Sequence, residues 1–373
     1  MLYNNIDTKH SDLAVAQQFK PFFKEKNKRA FWIAGPCSAE TEEQVLSTAR
    51  SLASANIDLF RAGIWKPRTR PNSFEGIGTQ GLEWLNKVQT ETGLKVCTEV
   101  ANTAHVEACL KHGIDVVWIG ARTTVSPFAV QEIADALQGS EVKVLIKNPI
   151  NPDLKLWVGA IERVAKSGIE HIGAIHRGFS SFEINKYRNQ PRWQIAIELK
   201  REFPDLTIIC DSSHISGNRV LLEEVSQKAL DLNYDGIMME VHPNPDKAWS
   251  DAEQQVTPEV FAKLKERLIY RPAEIDDAAF NESLDNLRLQ IDEIDDEIIA
   301  LINSRMQIVD DIGAYKKRNN MSILQTKRWS EILDRCMTKA TELGLSTEFI
   351  SKMLETIHQE SINRQHSILK RKD

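Results

Sequence analysis

Residues 59–70 read LFRAGIWKPRTR, and the fold of the larger part of the chain hangs on that stretch. A short apolar run, Leu59-Phe60, gives way to Arg61, Lys66, Arg68 and Arg70, broken by Gly63 and Pro67. A strand followed by a basic loop is how a barrel end collects small phosphorylated anions, because guanidinium and ammonium groups converge where backbone amides already point. Taken alone, the segment reads equally well as a solvated basic loop. The decision rests on what the other strand ends carry.

From residue 31 one pattern repeats: a short apolar, β-branched run, a polar turn, then an amphipathic stretch of helix length. The runs fall at 31–34, 59–64, 95–100, 116–119, 144–146, 171–175, 207–210 and 236–241. Runs this short and continuously apolar suit strands buried on both faces. Eight β-then-α units in about 240 residues predict an α/β fold of the (β/α)8 barrel type. The alternative is a doubly wound open sheet, which favours GxGxxG after its first strand, where GPCS stands here.

In a barrel the chemistry sits at the carboxyl ends of the strands. Cys37 follows the first run, Arg61 and Lys66 flank the end of the second, and Glu99 lies in the third. Arg122 follows the fourth, Lys147 ends the fifth and His176-Arg177 the sixth; Asp211 and His214 close the seventh, Glu240 and His242 the eighth. Charged or metal-capable residues at every strand end are hard to explain as packing. Arg61, Lys66, Arg68, Arg122, Lys147 and Arg177 are cations without sequence-adjacent partners, expected to take phosphate and carboxylate oxygens. Cys37, His214, Glu240 and Asp251 offer one sulfur, one nitrogen and two oxygens. That set suits divalent Mn, Fe, Co or Zn, whereas Mg or Ca favours an oxygen-only shell.

Composition bounds the rest. At 373 residues, 42% hydrophobic and 27% charged, the chain suits a large globular domain plus a small one. A net charge of −6 argues against nucleic acid as the main partner. Five scattered cysteines without a CxxC pair fit a reduced, cytoplasmic setting, and no signal peptide or membrane span is expected.

Beyond residue 270 the pattern changes. Residues 1–27 read as a lead-in too short to fold alone, 28–270 as the barrel, 271–282 as a polar linker and 283–373 as a small all-α domain of three helices. Apolar positions from Leu284 through Ile312 follow a helical period over about 35 residues, roughly 50 Å. Such a stripe needs a partner helix, most simply the same helix of a second chain, so a homodimer is expected, with higher homo-oligomers left open. On periodicity alone this is a helical dimerisation module. Polar placement adds more: Arg305 and Lys316 share a face, Ser361 and Gln365 stand at i, i+4, and Arg288 points a quarter-turn away from the first pair.

GPCS (35–38), KPRT (66–69), GAR (120–122), HRG (176–178), DSSH (211–214) and EVHP (240–243), in this order, resemble type I 3-deoxy-D-arabino-heptulosonate-7-phosphate (DAHP) synthase, which is related to 3-deoxy-octulosonate-8-phosphate synthase. The resemblance implies condensation of phosphoenolpyruvate with erythrose 4-phosphate, the first step of the shikimate pathway. It places metal ligands on Cys37, His214, Glu240 and Asp251, phosphoenolpyruvate-binding cations on Arg61, Lys66, Arg122, Lys147 and Arg177, and the aldose phosphate on Arg68 and Thr69. The KPRT motif favours erythrose 4-phosphate over arabinose 5-phosphate. DSSH stands where DPSH is commoner, and LIKNP follows the fifth run where a glycine is frequent.

The C-terminal segment resembles the all-helical chorismate mutases, through Arg288, Arg305, Lys316, Arg328, Ser361 and Gln365. That resemblance implies an interlocked dimer in which Arg288 serves the partner's site. The arginines would fix the two carboxylates of chorismate, and Lys316 and Gln365 would face its ether oxygen, with no cofactor. Gln325 and Trp329 depart from the acidic groups common there. The expected whole is a bifunctional enzyme with feedback by prephenate or chorismate through the helical domain. The alternative makes that domain mainly a regulatory and dimerisation module with weak mutase activity.

Overall fold

In the computed structural model, residues 19–23, 29–67, 74–182 and 186–371 are described. The chain divides into two compact units between Glu274 and Ile275. Among the described residues of the first, eight strands, β1 (Phe31–Gly35), β2 (Leu59–Arg61), β3 (Val96–Val100), β4 (Val116–Ile119), β5 (Lys143–Lys147), β6 (Ile172–His176), β7 (Thr207–Asp211) and β8 (Gly236–Glu240), form a closed barrel in sequence order. Every pairing is parallel, and β1 meets β8 in register from Phe31↔Gly236 to Gly35↔Glu240. Closure excludes the open-sheet alternative.

Helices fill the crossovers, and several of them begin at a capping side chain. Side chains of Thr41, Asn102, Ser126, Asp153 and Thr257 each accept a backbone N–H in the first turn of the helix that follows, satisfying donors that would otherwise be orphaned.

The strand bounds differ from the apolar runs in instructive ways. β2 stops at Arg61 instead of 64, because Gly63 turns aside to bridge Ser38 of the loop after β1. β5 gains Lys143 and Lys147, and β6, β7 and β8 end on His176, Asp211 and Glu240. Lys143, Lys147, His176 and Asp211 fell outside the apolar runs, yet they are ladder members.

Strand side chains alternate, so parity decides which face each meets. Phe31, Ile33, Leu59, Trp118, Leu145 and Ile209 fill the lumen, whereas Trp32, Ala34, Phe60, Val117 and Ile146 pack outward against the helices. Phe22, from the lead-in, joins the lumen cluster, and its carbonyl accepts from Lys143 Nζ at 2.5 Å. The same inward parity carries Arg61, Glu99, Lys147, Asp211 and Glu240 to the carboxyl-end layer. His176 has the opposite parity. It lies outside the sheet among Trp157, Phe179, Trp193 and Tyr234, and its Nδ1 is 2.8 Å from the Tyr234 hydroxyl.

The second unit holds helices Ala278–Arg318, Thr326–Glu342 and Thr347–Lys370. The long helix starts inside the segment read as linker, because Asp277 caps it by accepting from Phe280 N at 3.0 Å. Leu287, Ile291, Ile294, Ile298, Leu301 and Ile308 along it are exposed in the single chain. No described helix is long and apolar enough to cross a membrane.

Candidate active site

The loop after β1 is set by Gly35. Its φ is +149°, and a Cβ there would stand 2.0 Å from the Arg61 carbonyl oxygen, so only glycine lets β1 end this close to β2. Two residues on, Cys37 is buried, its N–H donating to Gln255 Oε1 at 3.0 Å and its carbonyl accepting from Arg61 Nη2 at 3.1 Å. The Cys37 thiol lies 3.3 Å from Asp251 Oδ2, and Lys66 Nζ lies 3.0 Å from Cys37 Sγ.

Cys37, Glu240 and Asp251 place one potential ligand atom each within 4.8 Å of one another. Asp251 arrives from the loop after β8 in a left-handed conformation, φ 45°, a cost of order 1–3 kcal/mol for a non-glycine residue that the surroundings must offset. His214 stands beside this trio: its Nδ1 is 2.9 Å from Asp211 Oδ2 and 3.7 Å from Glu240 Oε1. Asp211 also caps the short helix Ser212–Ser216 by accepting from His214 N.

Burial, with Glu240 close by, pushes the Cys37 thiol up to about 12 in spite of Lys66. Burial would raise the Asp251 carboxyl too, but His214, Arg188 and Lys66 outweigh it and hold it below the usual carboxylate range. Glu240 Oε1 is buried without a hydrogen-bond partner. A sulfur donor, a nearby imidazole and carboxylate oxygens fit a divalent first-row metal ion.

The cations divide by their company. Arg61 Nη1 is 3.2 Å from Glu240 Oε1, and Lys147 Nζ is 2.9 Å from Asp211 Oδ2. Neither has a sequence-adjacent partner, as expected; the partners stand 179 and 64 residues away in sequence. Arg177 differs: Nη1 donates to Asn189 Oδ1 at 2.8 Å and to Gly178 O at 3.3 Å. Burial, aided by the like charges of Arg188 and Arg122, pulls its guanidinium down to about 10 although Asp211 acts against them. A bound anion would relieve that crowding. Arg122 is exposed on the short helix Ala121–Thr124 after β4. Arg68 and Thr69 lie outside the described residues.

In the helical unit Arg305 Nη1 donates to Ser361 Oγ at 2.7 Å, joining the long helix to the last one. Gly313 permits the approach, since a Cβ there would meet Ile368 Cδ1 at 3.0 Å and Gln365 Cα at 3.3 Å. Lys316, Ser361 and Gln365 are all buried, and Gln365 Oε1 has no hydrogen-bond partner. Lys316 Nζ donates to Ile323 O at 2.5 Å, and burial lowers its ammonium. Arg288 and Arg328 do not join them. Each is exposed and paired on its own helix, with Asp285 and Glu331, and Arg288 lies about 26 Å along the helix from Arg305.

With both sites defined, the comparisons are decisive. The family model described as DAHP synthetase I family matches residues 13–271. The chain belongs to the DAHP synthetase I family. A second model, chorismate mutase type II, matches residues 287–366, so this is an enzyme chain with a DAHP synthase barrel and a chorismate mutase domain. It is 34% identical over 237 residues to a phospho-2-dehydro-3-deoxyheptonate aldolase of Thermotoga maritima, covering 63% of this chain and 68% of that protein. A 2-dehydro-3-deoxyphosphooctonate aldolase of Syntrophotalea carbinolica is 27% identical over 257 residues, 63% of this chain and 88% of that one. The crystal structure of the Thermotoga maritima DAHP synthase superposes with a TM-score of 0.60 at 30% identity, covering 68% of this chain and 72% of that one.

The DAHP synthase barrel also holds polar residues that the motifs did not single out for the site. Arg188 contacts Asp251 and Gln254, and Gln254 contacts Glu240. Glu99 Oε2 accepts from Trp118 Nε1 at 2.8 Å, and Gly120 is needed because a Cβ would fall 2.1 Å from Glu99 Oε1. His242, a strand-end candidate, turns instead to Glu40 at 3.3 Å. In the mutase domain Trp329 stacks on His358, ring centroids 4.1 Å apart.

Proposed function

We propose that the barrel condenses phosphoenolpyruvate with D-erythrose 4-phosphate to give DAHP and phosphate, and that the helical domain converts chorismate to prephenate. The first reading is carried by one juxtaposition: Lys66 Nζ lies 3.0 Å from Cys37 Sγ, so the metal-donor group and the cationic rim share a single barrel mouth. Cys37, His214, Glu240 and Asp251 would hold a divalent Mn, Fe, Co or Zn ion. When bound, it would supply Lewis acidity for the aldehyde carbonyl.

The chain's own residues do the rest. Lys147, Arg177 and Arg122 receive the carboxylate and phosphate of phosphoenolpyruvate, with Arg61 behind them. Gathering these anions beside a second phosphate, held by Arg68 and Thr69, needs that many cations to offset repulsion. The enol carbon forms a C–C bond to the aldehyde carbon, Lys66 supplies a proton to the developing alkoxide, water adds at the phosphate-bearing carbon, and phosphate leaves as its C–O bond breaks.

In the helical domain Arg305, Arg328 and the partner's copy of the long helix, through Arg288, would hold the two carboxylates in a folded geometry. Lys316 and Gln365 would face the breaking ether bond. A pericyclic rearrangement needs orientation and placed charge, not a nucleophile. The exposed stripe from Leu287 to Ile308 supports a homodimer. Trp329 on His358, where no acidic group stands, favours a second role in which the domain senses prephenate and restrains the barrel.

The test is phosphoenolpyruvate consumption by the full-length chain with erythrose 4-phosphate and Mn, with and without prephenate, beside chorismate disappearance. Turnover with arabinose 5-phosphate instead would move the barrel to octulosonate synthesis. No turnover with either aldose would end the barrel reading, and turnover indifferent to prephenate would remove the feedback.

A further inference from the structure

The two carboxylates in the proposed metal group each give one oxygen to a side chain outside that group. Asp251 Oδ1 accepts from Arg188 Nη1 at 3.0 Å, while Oδ2 faces the Cys37 thiol at 3.3 Å. Glu240 Oε2 accepts from Gln254 Nε2 at 2.6 Å, while Oε1 is buried without a hydrogen-bond partner, near Arg61 and His214 Nδ1. The same Arg188 nitrogen that holds Asp251 donates to Gln254 Oε1 at 2.6 Å.

That last contact matters because an amide can present either end. With its oxygen engaged by a guanidinium, Gln254 must offer N–H to Glu240. Reversed, it would set a carbonyl oxygen against a buried carboxylate. Arg188 therefore orients Gln254 and anchors Asp251 with one group, and Gln254 passes the orientation to Glu240.

The segment is built to hold this position. Arg188 N and Asn189 N donate to Ser216 O and Ile215 O, and a Cβ on Gly217 would fall 2.3 Å from the Arg188 Cβ. Asn189 then links Arg177 to the carbonyl of His214, at 2.8 and 2.6 Å. Two consecutive residues thus brace the donor group and the anion-binding arginine together.

We propose that Arg188, acting directly on Asp251 and through Gln254 on Glu240, is the positioning residue that fixes both carboxylates for the metal ion. This rests on the metal site proposed above. Outer-shell partners of this kind are worth roughly 10- to 100-fold in metal affinity.

The experiment is Mn binding to the chelator-stripped full-length chain, measured by chelator competition, for wild type, Arg188→Ala, Arg188→Lys, Gln254→Leu and the Arg188→Ala/Gln254→Leu double variant. We expect Arg188→Ala to weaken Mn binding by about 10- to 100-fold, Gln254→Leu to weaken it less, and the double variant to match Arg188→Ala. Excess Mn should restore turnover of Arg188→Ala. Should Arg188→Ala fail to fold, Gln254→Leu carries the test alone: Mn affinity equal to wild type would overturn the proposal. Wild-type Mn affinity in a folded Arg188→Ala would overturn it too and leave the metal site standing. Absence of Mn binding by wild type and Asp251→Asn alike would overturn both.

Discussion

Arg61 Nη1 sits 3.2 Å from Glu240 Oε1 with both side chains sealed from water. The pair ties the end of β2 to the end of β8, on either side of β1. The cost of taking both charges out of water is met by their mutual attraction, by Arg61's bond to the Cys37 carbonyl and by its stacking over Trp118 at 5.0 Å.

Removing one partner leaves the other charged and buried. Arg61→Ala is expected to destabilise the barrel by about 3–5 kcal/mol, and Arg61→Met with Glu240→Met to recover much of the loss. Urea unfolding of the single and double variants checks this. Equal stability of Arg61→Ala and wild type would mean the pair contributes nothing.

Stripping divalent metal should separate the two activities. A chelator is expected to stop phosphoenolpyruvate consumption and to leave chorismate turnover intact, because Arg288, Arg305, Lys316, Arg328, Ser361 and Gln365 offer no thiolate, imidazole or carboxylate to a metal ion. Parallel assays on one treated sample decide it; loss of both activities would contradict the assignment.

His176 makes barrel stability fall with acid. Burial, with Arg177 adjacent, lowers its imidazole from 6.5 to about 4. Below pH 6.5 the unfolded chain binds a proton that the folded chain refuses, so stability declines as pH drops through that window toward 4. The full penalty is about 3 kcal/mol. Denaturation curves for wild type and His176→Gln between pH 7 and 4 should converge as the pH falls, and a constant gap would refute the account.

Arg288 and Arg305 should complement each other across chains. Each alanine variant alone is expected to lose nearly all mutase activity. Mixed after dissociation, the two should regain roughly a quarter of wild-type activity, because half the dimers are mixed and each of those has one intact site. No recovery, with dimers formed, would place Arg288 outside the partner's site.

Much of the architecture was legible locally. Apolar runs marked all eight strands to within a few residues, and the helical period marked three C-terminal helices. The errors have common causes. Strand ends at Lys147, His176 and Asp211 are polar or charged, and a search for apolar runs stops short of them. The long helix begins at Ala278 rather than 283, because its first turns are solvated and the cap at Asp277 was read as linker.

What the sequence by itself determined is the set of strand-end groups and the face each takes on its own strand, since alternation and helical period are properties of local backbone geometry. It could not show that Arg61 meets Glu240, that Lys147 meets Asp211, or that Arg188 governs Asp251. Those contacts join residues brought together only when the barrel closes and its loops settle over one end. Pairing energies depend on distance and burial, and these are set by the tertiary structure alone.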